Sequence, residues 1–458
     1  MKKPFWKTGF ASGAASPFFR LAADVPALAF ALLSAHCARF GFGEPPWGWR
    51  SAAFSYVLSC AVHLSLLWAA GCYRTPWRRF GPREASRLLA AMAAAAVLLS
   101  TVRLVFPVSS FSWLRPPFSV TFVAFAVGTA AVVAVRTFWR LYWTDRMRDA
   151  DLIEREEITF DNSAVARFLA GRTIAVTGAG GTIGSEIVRQ AAAAGVAKII
   201  MIERCENALY NIERAMSAVK TSCETRACMA DAGDGEEMHR IFAEEKPSVV
   251  LHAAACKHVP LVEANPQAGW RNNAEATATL AKVAAECGVE RFVLISTDKA
   301  VNPVSVMGRT KQAAEKTIME MNNGKACPTS FCAVRFGNVS GSSGSVIPLF
   351  REQIAAGGPV TVTHPDMKRY FMTVQEAVNL TLHAASRSER AIYTLDMGEP
   401  VKILDLAKHM IAAAGYRPSI DIPIVFTGMR PGEKLFEEID ISEKSAFRTD
   451  MAKIYITK

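Results

Sequence analysis

The ten cysteines of this 458-residue chain stand at 37, 60, 72, 205, 223, 228, 256, 287, 327 and 332. They form no CxxC pair and no Cys/His cluster at zinc spacing. The sequence therefore offers no metal motif, and it predicts reduced, buried or half-buried thiols in a cytosolic environment. No basic helix or RNA-binding motif accompanies the formal net charge of +10, so nucleic acid is not an expected partner. Acids are almost absent from residues 1–145, where Ala, Leu, Val, Phe and Trp dominate. That composition argues for a membrane and against a soluble all-helical domain. A cleaved signal peptide fits poorly, because the apolar run starts late and three more follow. Position 307 holds Met, four residues before Lys311, and that substitution acquires meaning only from the motifs around it.

Half of the residues are hydrophobic (51%), and the length calls for at least two domains. Four apolar stretches, at about 21–38, 52–72, 88–106 and 118–135, are each near the ~20 residues that a helix needs to cross a bilayer. Lys2, Lys3, Lys7 and Arg20 precede the first stretch. Arg74, Arg78, Arg79, Arg83 and Arg87 lie between the second and third, and Arg136, Arg140, Arg146 and Arg148 follow the fourth. The other two loops are sparse in basic residues (Arg39 and Arg50; Arg115). Both ends of this region and its middle loop are therefore expected in the cytoplasm. Asp24 falls inside the first stretch, one turn from Arg20, and is expected to form an interfacial ion pair with it.

Residues 146–171 are charged and polar (Asp151, Glu154, Glu156, Glu157, Asp161) and read as a cytoplasmic connector. From 172 to 458 strand and helix patterns alternate, which predicts a parallel sheet with helices on both faces. The first strand, Thr173–Thr177, runs into Gly178, Gly181 and Gly184. Glycines at those positions permit a sharp turn, close approach of a pyrophosphate, and tight packing of the following helix, whose N-terminus faces the phosphates. Thr182 and Ile183 lie within that turn. The second strand ends at Glu203, 19 residues after Gly184. An acid there suits a ribose diol and hence NAD, while Arg204 beside it suits a 2′-phosphate, so NAD and NADP both stay open. Asp231, after a third strand, reads either as an adenine contact or as a turn residue. A fourth strand, at 248–252, leads into small residues from Ala253 that would let a cofactor pack on backbone.

The stretch 295–311 is the candidate active site. It places a hydroxyl (Thr297), a carboxylate (Asp298) and two amines (Lys299, Lys311) within one loop and one helix turn, with Met307 among them. Further on, Asn338 follows an apolar strand, and Ser342, Ser343 and Ser345 make a donor-rich loop. Arg369 and Arg430 offer planar forks for a diphosphate, Arg430 being preferred.

Five segments carry a resemblance: ThrGlyAlaGlyGlyThrIleGlySerGlu (177–186), HisAlaAlaAlaCysLysHisValProLeuValGlu (252–263), SerThrAspLysAlaValAsnPro (296–303), ArgPheGlyAsnVal (335–339) with GlySerSerGlySerValIleProLeuPhe (341–350), and MetArgProGlyGluLysLeuPheGluGlu (429–438). They resemble the extended short-chain dehydrogenase/reductase superfamily, and within it the membrane-bound nucleotide-sugar 4,6-dehydratases of bacterial polysaccharide synthesis. The resemblance covers nearly the whole chain. It implies four transmembrane helices (1–145), a linker (146–171) and an α/β Rossmann-like domain (172–458) with a smaller C-terminal substrate-binding part. It also implies tightly held NAD or NADP, a UDP-N-acetylhexosamine substrate (foremost UDP-N-acetylglucosamine), a homo-oligomer, and a multi-pass protein of the bacterial inner membrane with its catalytic domain in the cytoplasm.

The implied chemistry moves hydride from C4 to the cofactor, eliminates water across C5 and C6, and returns the hydride to C6. The resemblance makes Asp298 the acid and Lys299 the base, with Thr297 near the C4 oxygen and Lys311 on the nicotinamide ribose. Those roles require a protonated carboxyl and a neutral amine at the moment of reaction. Lys257 and His258 fall in the substrate region. Most of the superfamily has Tyr where this chain has Met307, and Met accepts no proton. The large membrane-bound dehydratases carry Met there and retain configuration at C5. Two other readings stay open: a nucleotide-sugar C4-epimerase, and a catalytically silent membrane protein that binds dinucleotide. The chain stops at Lys458, soon after the 429–438 segment, where the resembled family usually continues. A short variant or a truncated piece is expected.

Overall fold

The computed structural model describes residues 17–46, 48–73, 80, 82–105, 117–144, 161–219, 221–322, 327–414, 416–439, 441 and 446–457. The basic residues Lys2, Lys3, Lys7, Arg74, Arg78, Arg79, Arg115, Arg146 and Arg148 lie outside them, as do Asp151, Glu154, Glu156 and Glu157. The chain divides into two compact units, residues 1–147 with 411–417, and residues 148–410 with 418–458.

In the first unit the four apolar stretches are helices α1 (Pro17–Phe40), α2 (Trp49–Ala69), α3 (Pro82–Val105) and α4 (Phe118–Thr144). Each is long and apolar enough to cross a membrane. Their outward faces carry apolar side chains such as Phe30, Val57, Val97 and Phe122, which only a nonaqueous surround tolerates in such number. Small and aliphatic residues (Ala27, Leu28, Leu67, Leu88, Met92, Val132) fill the interior. The carboxylate of Asp24 is fully buried and is held by Arg136 of α4 and by the hydroxyl of Tyr73. Arg20, the partner expected from sequence, donates to the carbonyl of Tyr73. The ion pair thus bridges α1 and α4, two elements 112 residues apart, where a one-turn pair within α1 was expected.

The second unit is built on a nine-stranded sheet. Six parallel strands form its body: β1 (Thr173–Thr177), β2 (Lys198–Ile202), β3 (Glu224–Cys228), β4 (Val249–His252), β5 (Arg291–Ile295) and β6 (Ser330–Arg335), in the order 3-2-1-4-5-6. The apolar runs of β1, β2, β4 and β5 are buried almost end to end, as strands covered by helices on both faces must be, while the edge strand β3 is polar and only partly buried. Beyond β6 the sheet adds Ile392–Leu395 in parallel, then Ile454–Thr457 and Ala446–Arg448 in antiparallel pairing. The segment after 330 therefore both extends the main sheet and builds three small two-stranded sheets outside it. Strand order reverses between β1 and β4, so a crevice opens at the carboxyl ends of β1, β4, β5 and β6. Ligands of open α/β sheets bind at such a switch point.

Candidate active site

The loop after β1 begins with Gly178 at a φ of 66°, a left-handed value open to glycine. A Cβ on Gly178 would lie 2.7 Å from the amide nitrogen of Ala254, and one on Gly184 2.0 Å from the carbonyl oxygen of Gly178. The turn, the start of the helix Thr182–Ala193 and the loop after β4 are therefore locked together at backbone distance, and the first amides of that helix face the crevice. These residues fit a dinucleotide pyrophosphate: Gly178, Gly181 and Gly184 carry no side chain to obstruct it, and the N-terminal N–H groups of a helix without a side-chain cap attract an anion.

Glu203 at the end of β2 accepts from the amides of Gly180 and Cys205, at 3.2 and 3.0 Å. It thereby braces the glycine turn from beneath. Arg204 and Asp231 face each other at 3.5 Å on the half-exposed surface, and Asp231 accepts from the amide of Gly233 within its own turn. Glu203, Arg204 and Asp231 stand at the ends of β2 and β3, outside the lining of the main cleft.

That cleft, of about 960 Å³, is lined by Gly178, Gly181, Thr182, Ile183, Gly184, Ala253, Lys257, His258, Thr297, Lys299, Met307, Lys311, Asn338, Arg369 and Arg430. The structure thus gathers most of the candidates from residues up to 252 positions apart in one chain. Asp298 sits immediately behind Lys299, its side chain 2% exposed.

The stretch 295–311 is shaped locally. Thr297 caps a 3₁₀ turn, Asp298–Ala300, by accepting from the amide of Lys299. The Thr297 hydroxyl donates to Oδ1 of Asp298 at 2.8 Å. Nζ of Lys299 donates to the same oxygen at 2.9 Å and to Oδ1 of Asn338 at 3.1 Å. Acid and base candidates are therefore in direct contact, and Asn338 fixes the amine. Oδ2 of Asp298 is buried with no hydrogen-bond partner among the described residues.

The helix Val306–Asn322 carries Met307 and Lys311 on its buried face. It lies against the catalytic turn so closely that a Cβ on Gly308 would stand 2.3 Å from the carbonyl oxygen of Lys299. Burial pushes the Lys311 amine down to about 8, with Glu315 opposing that shift. Glu315 is itself tied to Arg335 by two bonds and to the hydroxyl of Ser296. Carboxylate, β5 and β6 thus hold the helix at a set height above the sheet. Burial also lowers the amine of Lys257 and the ring of His258, the latter further lowered by Lys257. A Cβ on Gly344 would lie 2.5 Å from His258 Cε1, so the serine-rich loop lies flat on that ring.

Two residues act where sequence reasoning assigned them nothing. Asn273 lies in a π-helical turn, Arg271–Glu275, and is 1% exposed. It bonds both backbone groups of Cys256 and the hydroxyl of Thr310, pinning the Lys257–His258 loop to the Met307 helix. Glu437 enters the cleft from the 429–438 segment, with 3.8 Å between its Oε1 and Lys299 Nζ. Its signal was an acid in a motif already noted, but nothing in the spacing says which of the three acids there (Glu433, Glu437, Glu438) comes beside Lys299. Arg369, expected on a diphosphate, donates instead to the carbonyls of Lys368, Lys434 and Leu435, with Nε 3.6 Å from Glu437. It braces that segment. Arg430 stands exposed at the rim. Among the described residues no group of His, Cys, Asp and Glu is gathered for a metal.

The polysaccharide biosynthesis protein family matches residues 174–458. The chain belongs to that family. It is 48% identical over 310 residues to a probable polysaccharide biosynthesis protein, EpsC, of Bacillus subtilis, covering 67% of this chain and 51% of the relative. The chain thus spans about half the length of that relative. It is 33% identical over 260 residues to a UDP-N-acetylglucosamine 4,6-dehydratase (inverting) of Campylobacter jejuni, covering 56% of this chain and 74% of the relative. A UDP-glucose 4-epimerase of Rickettsia canadensis is 31% identical over 289 residues, with 62% and 82% covered. Among solved structures, Pen from Bacillus thuringiensis superposes with a TM-score of 0.58 at 28% identity, covering 63% of this chain and 90% of that one.

Proposed function

We propose that the protein dehydrates a UDP-N-acetylhexosamine, foremost UDP-N-acetylglucosamine, to the UDP-4-keto-6-deoxy sugar with retention at C5, for polysaccharide or glycan synthesis. Residues 172–458 perform the chemistry, and residues 1–145 hold it at the bacterial inner membrane with the catalytic part in the cytoplasm. The observation that carries this reading is the Asp298–Lys299–Asn338 contact beside a buried Met307. Dehydration needs an acid and a base across C5 and C6, and this site preassembles both groups. The 4,6-dehydratase relative supports the same class of reaction.

NAD or NADP, held by Gly178, Gly181, Thr182, Ile183, Gly184, Ala253 and Lys311, supplies a hydride acceptor and donor. Lys299 accepts the C5 proton, made acidic by a C4 ketone. Asp298 gives its proton to the C6 hydroxyl, which leaves as water. Thr297, bonded to Asp298, orients toward the C4 oxygen, and water beside it takes the C4 hydroxyl proton that Met307 cannot. Lys257, His258 and Asn338 hold the sugar, and Arg430 at the rim takes the diphosphate. Arg369 acts on the substrate only through the segment it braces.

The C4-epimerase reading draws support from the Rickettsia relative. Both readings need a proton acceptor at C4 other than Met307, but C4 epimerisation leaves the Asp298–Lys299 pair without a task. Incubating the detergent-solubilised protein with UDP-N-acetylglucosamine separates the two. A product lighter by one water, with a C4 ketone by NMR, is expected; an isomer of unchanged mass sinks the proposal. Asp298→Asn and Lys299→Ala are each expected to abolish turnover while the cofactor stays bound.

A further inference from the structure

We propose that Glu437 is the counter-charge of Lys299, a positioning residue that strengthens the lysine as a base. The inference rests on the dehydratase reading for its catalytic meaning and on geometry for its existence.

The side chain of Glu437 is 4% exposed, with Oε1 3.8 Å from Lys299 Nζ and 3.6 Å from Arg369 Nε. Oε2 is buried without a hydrogen-bond partner among the described residues. A buried carboxylate whose nearest cations stand at 3.6 and 3.8 Å, beyond hydrogen-bond distance, is costly unless opposite charge compensates it, and Lys299 and Arg369 are the charges in place. Asp298 alone is an incomplete partner for Lys299: as the acid it begins protonated and offers no charge until its proton has left. Glu437 supplies a carboxylate that persists through the step. When the amine takes the C5 proton, the C–H electron pair forms the C5–C6 double bond and the C6 hydroxyl leaves as water with the Asp298 proton. The new ammonium then faces a charge already in place, and Glu437 neither gains nor loses a proton.

The charged groups around Glu437 are Lys299 and Asp298 of the 3₁₀ turn, Arg369 of the short strand Lys368–Arg369, and Lys434 of its own segment. Burial pushes its carboxyl up; Lys299, Arg369 and Lys434 oppose the rise, and Asp298 adds to it. Arg369 therefore does two things at once: it fixes the 434–437 backbone and helps keep Glu437 ionised.

The test reads Lys299 without substrate. The purified holoprotein in detergent is trace-labelled with acetic anhydride across a pH series, and the extent of acetylation at Lys299 is read by peptide mass spectrometry. In Glu437→Gln, which keeps shape and removes charge, the midpoint of labelling is expected to fall by about one pH unit or more. Glu437→Asp keeps the charge one methylene further off and is expected to fall between. Lys299 acts as a base only when neutral, so the acid limb of kcat against pH for UDP-N-acetylglucosamine is expected to move down with the labelling midpoint in Glu437→Gln, by about one pH unit, with KM within about threefold. An unchanged labelling midpoint in Glu437→Gln overturns the inference, as does a shifted midpoint with an unmoved acid limb of kcat. Should Glu437→Gln fail to accumulate, a labelling midpoint in Glu437→Asp identical to wild type overturns it as well. Absence of dehydration by the wild type strikes the proposed function alone, because the labelling arm needs no turnover.

Discussion

Gly308→Ala adds one methyl group and touches no proposed catalytic atom, yet it should cripple the proposed dehydration. The new Cβ would stand 2.3 Å from the carbonyl oxygen of Lys299, with Pro303 Cβ at 3.0 Å and Ser305 Oγ at 3.1 Å. Ordinary contact needs about 3.4 Å, so the helix or the 3₁₀ turn must retreat by about 1 Å. The far side of the turn offers no slack: Asp298 and Ala300 are buried, and the amide of Asp298 is bonded to the carbonyl of Phe336. Misplacing reacting groups by about 1 Å costs roughly 100-fold in rate. The expected result is a kcat on UDP-N-acetylglucosamine down by about that factor. Bound cofactor, measured by absorbance after denaturing release, should stay close to stoichiometric. Helix propensity pulls the other way, since Ala is favoured over Gly by about 1 kcal/mol in a helix. A loss of activity would therefore report displacement of the turn and not unravelling of the helix. Activity within threefold of wild type refutes the claim that helix and turn are held in register by this contact.

Three further outcomes are expected. Met307→Ala should keep measurable turnover, because the side chain moves no proton, while losing roughly 2–5 kcal/mol of stability from a residue 3% exposed; complete inactivity in a folded, cofactor-loaded variant would show that Met307 does more than fill space. His252, wholly buried between the hydroxyls of Thr177 and Thr277, is pushed by burial to about 3. Its unfolded value is 6.5, so the folded state binds fewer protons between those limits. Its share of stability is complete above pH 6.5 and lost as pH falls toward 3, by about 1.4 kcal/mol at pH 5.5. Thr277 spends its hydroxyl proton on the carbonyl of Asn273, which makes Nε2 the protonated nitrogen of the His252 ring; histidine-labelled NMR that finds the ring charged at pH 5.5 contradicts both statements. Finally, Asp24→Ala should remove the carboxylate that neutralises the buried Arg136 and destabilise the helical unit by about 3–5 kcal/mol, and pairing it with Arg136→Leu should restore part of that loss in a detergent thermal melt.

Much of this protein is legible in one dimension because its constraints are local. The four apolar stretches had only to be long enough to cross a bilayer, and all four are helices. The strands expected at 173–177 and 248–252 appear at or within one residue of those bounds, because a strand covered on both faces reads as an unbroken apolar run. The glycine turn is readable for the same reason: the close backbone approaches at 178 and 184 exclude every side chain.

What the tertiary structure alone decided depends on contacts between distant segments. Asp24 meets Arg136 across α1 and α4, because a buried charge takes the partner that packing brings near, whatever the spacing along the chain. Arg369 reads as a diphosphate ligand until its nitrogens are seen on the carbonyls of 368, 434 and 435. Asn273 and Glu437 look ordinary in sequence. Each becomes important only because folding carries it beside a loop or an amine 17 or more residues away and leaves it no water to bond instead. Periodicity and motif spacing report which faces are buried and where the backbone turns; which charges then meet is settled by the packing of elements that the linear pattern does not relate.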